Sequence, residues 1–232
     1  MKRLTTIGFD ADDTLWHNEK FYRFTELQFT EMLGEYGDAD YISARLLKAE
    51  KKNLKFYGFG IKGFTLSMIE TAIDVTDRQV PAATIKNILE RGREMLLHPL
   101  ELLPHARETV QSLKEDFRLI LITKGDLFDQ ERKLAQSGLG DLFHGVEIVS
   151  DKTAATYDGA FRRHGDGPER ALMAGNSLKS DVLPAIAAGA IGVHVPHELT
   201  WAYEHCEAPT GHQRFFVVKD LSEVPDLVRR NA

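Results

Sequence analysis

Ile7-Gly8-Phe9-Asp10-Ala11-Asp12-Asp13-Thr14-Leu15 decides how the rest of the chain is read. The apolar run Leu4–Phe9 reads as a buried strand, and three carboxylates in four residues follow it directly. Carboxylates there are costly unless something positive sits beside them. In an open α/β sheet the carboxyl end of a strand is where ligands bind. Asp10 and Asp12 are two apart and can point to one side, with Asp13 turned away. A Mg²⁺ ion, which takes a few hard oxygens and keeps some waters, would relieve the repulsion. From this motif alone, the other reading is that the acids cap the next segment or face solvent.

Working outward, five more short apolar runs read as buried strands: Phe117–Thr123, Val146–Val149, Ala171–Ala174, Ile191–Val195 and Phe215–Val218. Runs of this length with polar or glycine flanks suit a parallel sheet covered on both faces. Helical periodicity separates the later ones, over His105–Lys114, Asp126–Ser137, Thr153–His164, Leu178–Ala188 and Ser222–Arg230. Pro104 before the first helix and Gly138 after the second are reasonable start and stop signals. This alternation predicts a doubly wound, Rossmann-like α/β core.

The stretch from 17 to 98 is different. Its periodicity is helical over Phe21–Tyr36, Tyr41–Phe56, Phe64–Val75 and Thr84–Leu97, and no convincing strand interrupts it. A crossover needs only ~10–12 residues, so an inserted helical domain is the economical explanation. The expected division is 1–16 and 99–232 for the core, 17–98 for the insert. Within the insert, Lys55-Phe56-Tyr57-Gly58-Phe59-Gly60-Ile61-Lys62-Gly63 marks a break between helices. The preferred reading is a turn whose aromatics pack among the helices. The competing one is a substrate-facing loop, with Lys55 or Lys62 meeting an anion and aromatics such as Tyr57 shaping the pocket.

The other strands also end in polar residues. The second closes on Thr123-Lys124-Gly125-Asp126, and the third is followed by Ser150-Asp151-Lys152-Thr153. After the fourth comes Gly175-Asn176-Ser177-Leu178-Lys179-Ser180-Asp181, a glycine turn opening a helix. A lone Thr or Lys is usually a strand residue or solvated. Their appearance in this order, each at a strand end, is what carries information. Here the sequence resembles the haloacid dehalogenase-like hydrolase superfamily in its phosphatase branch. Asp10, Asp12 and Thr14 match the first motif, Thr123 the second and Lys152 the third. Gly175-Asn176-Ser177 with Asp181 matches the fourth, except that Asn176 stands where Asp is common. Such proteins carry a helical cap inserted between the first two motifs.

The resemblance implies hydrolysis of a small phosphate monoester through an aspartyl-phosphate. Asp10 would be the nucleophile, a carboxylate already ionised at neutral pH. Asp12 would protonate the leaving oxygen and then activate water, which calls for a raised pKa. Thr123 would hydrogen-bond the transferring phosphoryl group, and Lys152 would neutralise its charge. Asp10, a backbone carbonyl of Asp12, Asn176 and Asp181 would hold Mg²⁺, with Asn176 lending an uncharged oxygen. With its carboxylates ionised the site sums to about zero: three aspartates against Lys152 and Mg²⁺. His17 and Lys124, with Lys55 and Tyr57 of the insert, are candidate substrate neighbours. Two alternatives remain: a 2-haloacid dehalogenase, which attacks carbon without Mg²⁺ or the second aspartate, and a non-catalytic module binding a phospho-ligand or partner.

Composition narrows the class further. Twenty-nine Lys+Arg against thirty-five Asp+Glu give a formal charge of −6, without the footprint of a nucleic-acid binder. No apolar run approaches the ~18–20 residues that span a bilayer. The single cysteine, Cys206, cannot form an internal disulfide, which fits a reducing, cytoplasmic setting. The nine histidines show no metal-site spacing. Nothing in the sequence specifies the oligomeric state.

Overall fold

A computed structural model of the chain describes residues 3–232. Its contacts divide it into two units. One comprises the residues up to Glu19 with Leu100–Lys124 and Gln130–Ala232; the other comprises Lys20–Pro99 with Gly125–Asp129.

Among the described residues of the first unit, six strands form one parallel sheet: β1 (Thr6–Phe9), β2 (Arg118–Lys124), β3 (Gly145–Val149), β4 (Ala171–Gly175), β5 (Ile191–His194) and β6 (Phe215–Val217). Their order is β3-β2-β1-β4-β5-β6, so chain direction across the sheet reverses beside β1. β1 pairs with β2 at Phe9↔Leu121 and with β4 at Phe9↔Ala174. The residues following each pairing therefore converge at one edge, where an α/β sheet binds ligands.

Alternation along β2 shows why the sheet is covered twice. Leu119 and Leu121 join a core with Ala106, Val110 and Leu113 of α5 (Ala106–Leu113) and with Val224, Leu227 and Val228 of the C-terminal helix. Ile120 and Ile122 face the other way, onto Tyr157 and Phe161 of the helix Ala154–His164. Each fully buried side chain of this size contributes ~1.5–3 kcal/mol.

The second unit holds α1 (Glu19–Met32, from its second residue), α2 (Ala39–Tyr57), α3 (Ile61–Val75) and α4 (Ala82–Leu97). Its apolar centre includes Phe29, Leu46, Phe64, Met68 and Ile88. Asp38 caps α2 by accepting from the Tyr41 N–H at 2.8 Å. The segment 55–63 departs from the preferred expectation. Lys55–Tyr57 are the last turn of α2, and Phe56 and Tyr57 are exposed rather than packed among the helices. The chain turns at Gly58, whose φ of +69° sits in the region glycine tolerates. Because the helix continues through Tyr57, its last aromatics follow the helical repeat outward.

Past α5 and β2 come α6 (Leu127–Ser137), α7 (Ala154–His164), α8 (Leu183–Ala188) and α9 (Val224–Arg230). A single helix was expected over 178–188, but Leu178–Val182 is a turn of π-helix and α8 begins only at Leu183. Pro184 explains it. Its ring crowds the carbonyl four residues earlier and it has no N–H to donate there. That carbonyl, of Ser180, instead accepts the Tyr157 hydroxyl at 3.0 Å. Among the described residues no helix is long and apolar enough to cross a membrane.

Candidate active site

Lys152 is the centre of the site. It lies just after β3 and is anchored because Thr153 caps α7, accepting from the Thr156 N–H at 3.2 Å. Its ammonium donates to Asp10 Oδ1 and, at 2.7 Å, to Asp181 Oδ1. All three side chains are buried. Three strand ends thus supply one cluster: Asp10 after β1, Lys152 after β3, and Asp181 in the turn after β4, while Thr123 is buried within β2 beside its end.

The second oxygen of each carboxylate is also held. Asp10 Oδ2 accepts from the Thr14 hydroxyl at 2.8 Å, and Asp181 Oδ2 from the Ser177 N–H at 2.9 Å. Gly175 makes room for this: a Cβ there would stand 2.4 Å from Asp181 Oδ2. Thr14 further ties the loop together, accepting from the Asn176 N–H at 3.0 Å. Asn176 Oδ1 lies 3.3 Å from the same hydroxyl, whose single proton is better placed for Asp10.

Electrostatics follow from burial. Asp10 departs from the expectation of a carboxylate already fully ionised at neutral pH: desolvation and then the like charge of Asp181 push it up to about 7, against the opposing pull of Lys152. Burial alone would lower the Lys152 ammonium, but Asp10 and Asp181 hold it above its ordinary value. With both carboxylates ionised, two buried negative charges face one ammonium and one of them is left uncompensated. Among the described residues no group of three His, Cys, Asp or Glu side chains forms a metal cage. Two carboxylates, the Asn176 amide and backbone carbonyls are nevertheless hard oxygen donors beside excess negative charge. That donor set suits Mg²⁺, which keeps part of its water shell.

Asp12 contradicts one expectation. Its carboxyl was expected to be raised, to keep a proton for general acid work. Burial does push it up, but Lys133, Gln130 and Trp16 outweigh that and bring it below the usual carboxylate value. Lys133 Nζ donates to Oδ1 at 2.9 Å, Trp16 Nε1 to Oδ1 at 2.7 Å and Gln130 Nε2 to Oδ2 at 2.8 Å. The expected charge count omitted Lys133 altogether. Gln130 and Lys133 lie three apart on one face of α6, a spacing visible in sequence but indistinguishable there from an ordinary solvated face. Trp16, four residues past Asp12, is fully buried.

The candidate substrate neighbours fall in different places. Lys124, the last residue of β2, is paired with Glu204 at 2.6 Å. His17 is partly buried, its ring centroid 6.0 Å from that of His197, which itself lies 3.7 Å from Asp13 Oδ1. Lys55 and Tyr57 are exposed in the helical unit. Glu204 was not anticipated, because nothing in the segment after β5 marks it locally.

Comparison with known proteins bears on what this cluster is. A family profile described as haloacid dehalogenase-like hydrolase matches residues 4–189. The chain is similar to a haloacid dehalogenase-like family hydrolase of known structure from Xanthomonas campestris, at 43% identity and a TM-score of 0.87, covering 98% of this chain and 91% of that one. It is also similar to a glyceraldehyde 3-phosphate phosphatase from Methanothermobacter thermautotrophicus, 25% identical over 97% of this chain and all of the relative. A magnesium-bound putative hydrolase, YfnB from Bacillus subtilis, shares the fold at 17% identity and a TM-score of 0.69, covering 98% of this chain and 99% of that one. The profile match and the 43% identity across nearly the whole chain show that this protein belongs to the haloacid dehalogenase-like hydrolase family.

Proposed function

We propose that the protein is a Mg²⁺-dependent phosphatase acting on a small phosphate monoester through an aspartyl-phosphate on Asp10. The observation that carries this reading is the buried triad in which Lys152 joins Asp10 to Asp181. An Asp10 oxygen attacks phosphorus, the P–O bond to the leaving group breaks, and the departing alkoxide takes a proton from Asp12. In the second step Asp12 takes a proton from water, whose oxygen attacks phosphorus and releases phosphate, restoring Asp10. Asp12 as found, ionised beside Lys133, is set for the second step. The charge of a bound phosphate beside it raises its proton affinity for the first.

Lys152 neutralises phosphoryl charge, and Thr123 hydrogen-bonds the group in transfer. Asp10, the Asp12 carbonyl, Asn176 and Asp181 would hold Mg²⁺, which when bound offsets the repulsion between carboxylate and phosphate. The helical insert, with Lys55 and Tyr57, together with His17 and Lys124, is read as setting substrate choice. A lone exposed Cys206 supports a reducing, cytoplasmic setting.

Phosphate release from a panel of monoesters, with Mg²⁺ or chelator, tests the reading. Glyceraldehyde 3-phosphate belongs on the panel because the 25%-identical relative carries that name. Release by the wild type with metal, and loss with Asp10→Asn, is expected. Chloride release from a 2-haloacid without metal would overturn it in favour of the dehalogenase. Phosphate binding without turnover would leave a binding module.

A further inference from the structure

Between β5 and β6 the chain runs through residues 195–214 without regular structure. A connection this long within a compact domain is usually functional. Its middle is firmly held. The Lys179 ammonium lies 3.4 Å from the centroid of the Tyr203 ring and donates to the Tyr203 carbonyl at 2.7 Å. The Trp201 and Tyr203 rings are 4.9 Å apart. This anchoring delivers Glu204 into the strand-end cluster. Its Oε1 accepts from Lys124 Nζ at 2.6 Å, and its Oε2 from the Ser177 and Ser180 hydroxyls.

Position gives the contact its meaning. β1 lies between β2 and β4 in the sheet, so the bond from Lys124 to Ser180 Oγ, at 2.7 Å, joins the end of β2 to the turn after β4, the two strands that flank β1 and its Asp10. Ser177 couples the two sites, its N–H donating to Asp181 and its hydroxyl to Glu204. Each of three lysines around the strand ends is then matched by carboxylate: Lys152 by Asp10 and Asp181, Lys133 by Asp12, Lys124 by Glu204. One phosphate can rely on Lys152 and metal. A second anionic group on the same substrate meets Glu204 where it would otherwise meet Lys124.

We infer that Glu204 is a specificity-determining residue that masks Lys124 and restricts the site to phosphate monoesters whose leaving group carries no second anion. Polyols and sugars fit; bisphosphates and phospho-acids are turned away by charge. This rests on the phosphatase reading and narrows its substrate class. The Lys124–Glu204 pair is largely buried, with side-chain exposures of 16% and 10%, so its charges are little screened.

The test uses binding, which does not depend on turnover. Affinities of 3-hydroxypropylphosphonate and 2-carboxyethylphosphonate, nearly equal in length, are measured by calorimetry with Mg²⁺. Wild type is expected to favour the hydroxyl ligand by about tenfold. Glu204→Gln should shift the ratio towards the carboxylate ligand by a similar factor, and adding Lys124→Met should abolish that shift. Equal binding by wild type, a ratio unmoved in Glu204→Gln, or a shift persisting without Lys124 would each overturn the inference. Selective binding without hydrolysis of any monoester would overturn the catalytic reading alone. Binding of neither ligand would overturn the inference and leave the catalytic reading to the monoester assay.

Discussion

Lys133 Nζ lies 2.9 Å from Asp12 Oδ1, joining the middle of α6 to the residue two positions past Asp10. With Gln130 and Trp16 it holds Asp12 as a carboxylate in one orientation. The pair matters because one residue must alternate between giving and taking a proton, and its neighbours set which is easier.

Replacing that ammonium should show in the pH profile. In Lys133→Met, Asp12 loses the cation that holds its carboxyl down, so its proton affinity rises. The limb of the kcat profile assigned to Asp12 is expected to move to higher pH, with kcat at neutral pH down about tenfold. Phosphate release between pH 5 and 9 measures this. An unmoved limb would mean that Lys133 does not set Asp12.

Metal-free stability should fall as pH rises. Asp10 is pushed up to about 7 in the folded chain against 3.8 for an unperturbed aspartate, so the folded state binds the proton more tightly. The associated stabilisation is complete below about 3.8 and lost as pH rises through about 7. Asp13, pushed up to about 6 chiefly by burial, acts in the same direction. With chelator, the melting temperature is expected to be several degrees lower at pH 8 than at pH 5.5. Mg²⁺ held as proposed would favour the ionised carboxylates, so its addition should recover the loss at pH 8. Scans at both pH values, with and without metal, check the sign.

Gly175→Ala should disable the site through sterics alone. The new Cβ would stand 2.4 Å from Asp181 Oδ2 and 2.6 Å from Asp181 Cβ, closer than atoms pack, so Asp181 must move off Lys152. Turnover is expected to fall by about 10²-fold from misplaced groups. Overpacking should destabilise the fold by ~1–3 kcal/mol. Circular dichroism and urea unfolding beside the assay separate the two effects.

Asn176→Asp should tighten metal binding. Asn176 Oδ1 sits beside the Thr14 hydroxyl that binds Asp10, and as an amide it contributes no formal charge. A carboxylate there should lower the Mg²⁺ concentration for half-maximal activity several-fold. A metal titration that does not move would place Asn176 outside the cation's shell.

Much of the core was legible because period and composition act locally. Ile120 and Ile122 alternate with Leu119 and Leu121, so a run buried on both faces announces a parallel strand before any partner is known. Thr153 at the start of α7 behaves as a cap because its reach is three residues. The π-helical turn is harder to anticipate, since the Ser180 carbonyl that Pro184 leaves without a donor is met by a tyrosine from another helix. Phe56 and Tyr57 are exposed where packing is expected, because aromatic character does not state which side of a helix faces inward.

The primary structure by itself marked the strand series, the helical stretch between the first two strands, and Asp10, Asp12, Thr123, Lys152 and Asp181 as candidates, because strand-end chemistry is written in short contiguous motifs. Tertiary structure alone decided which charge meets which. Lys133 reaches Asp12 from 121 positions away and Glu204 reaches Lys124 from 80, separations at which no local pattern survives. Coulomb energy depends on distance in space and on the water removed between charges, and both exist only once the chain has folded.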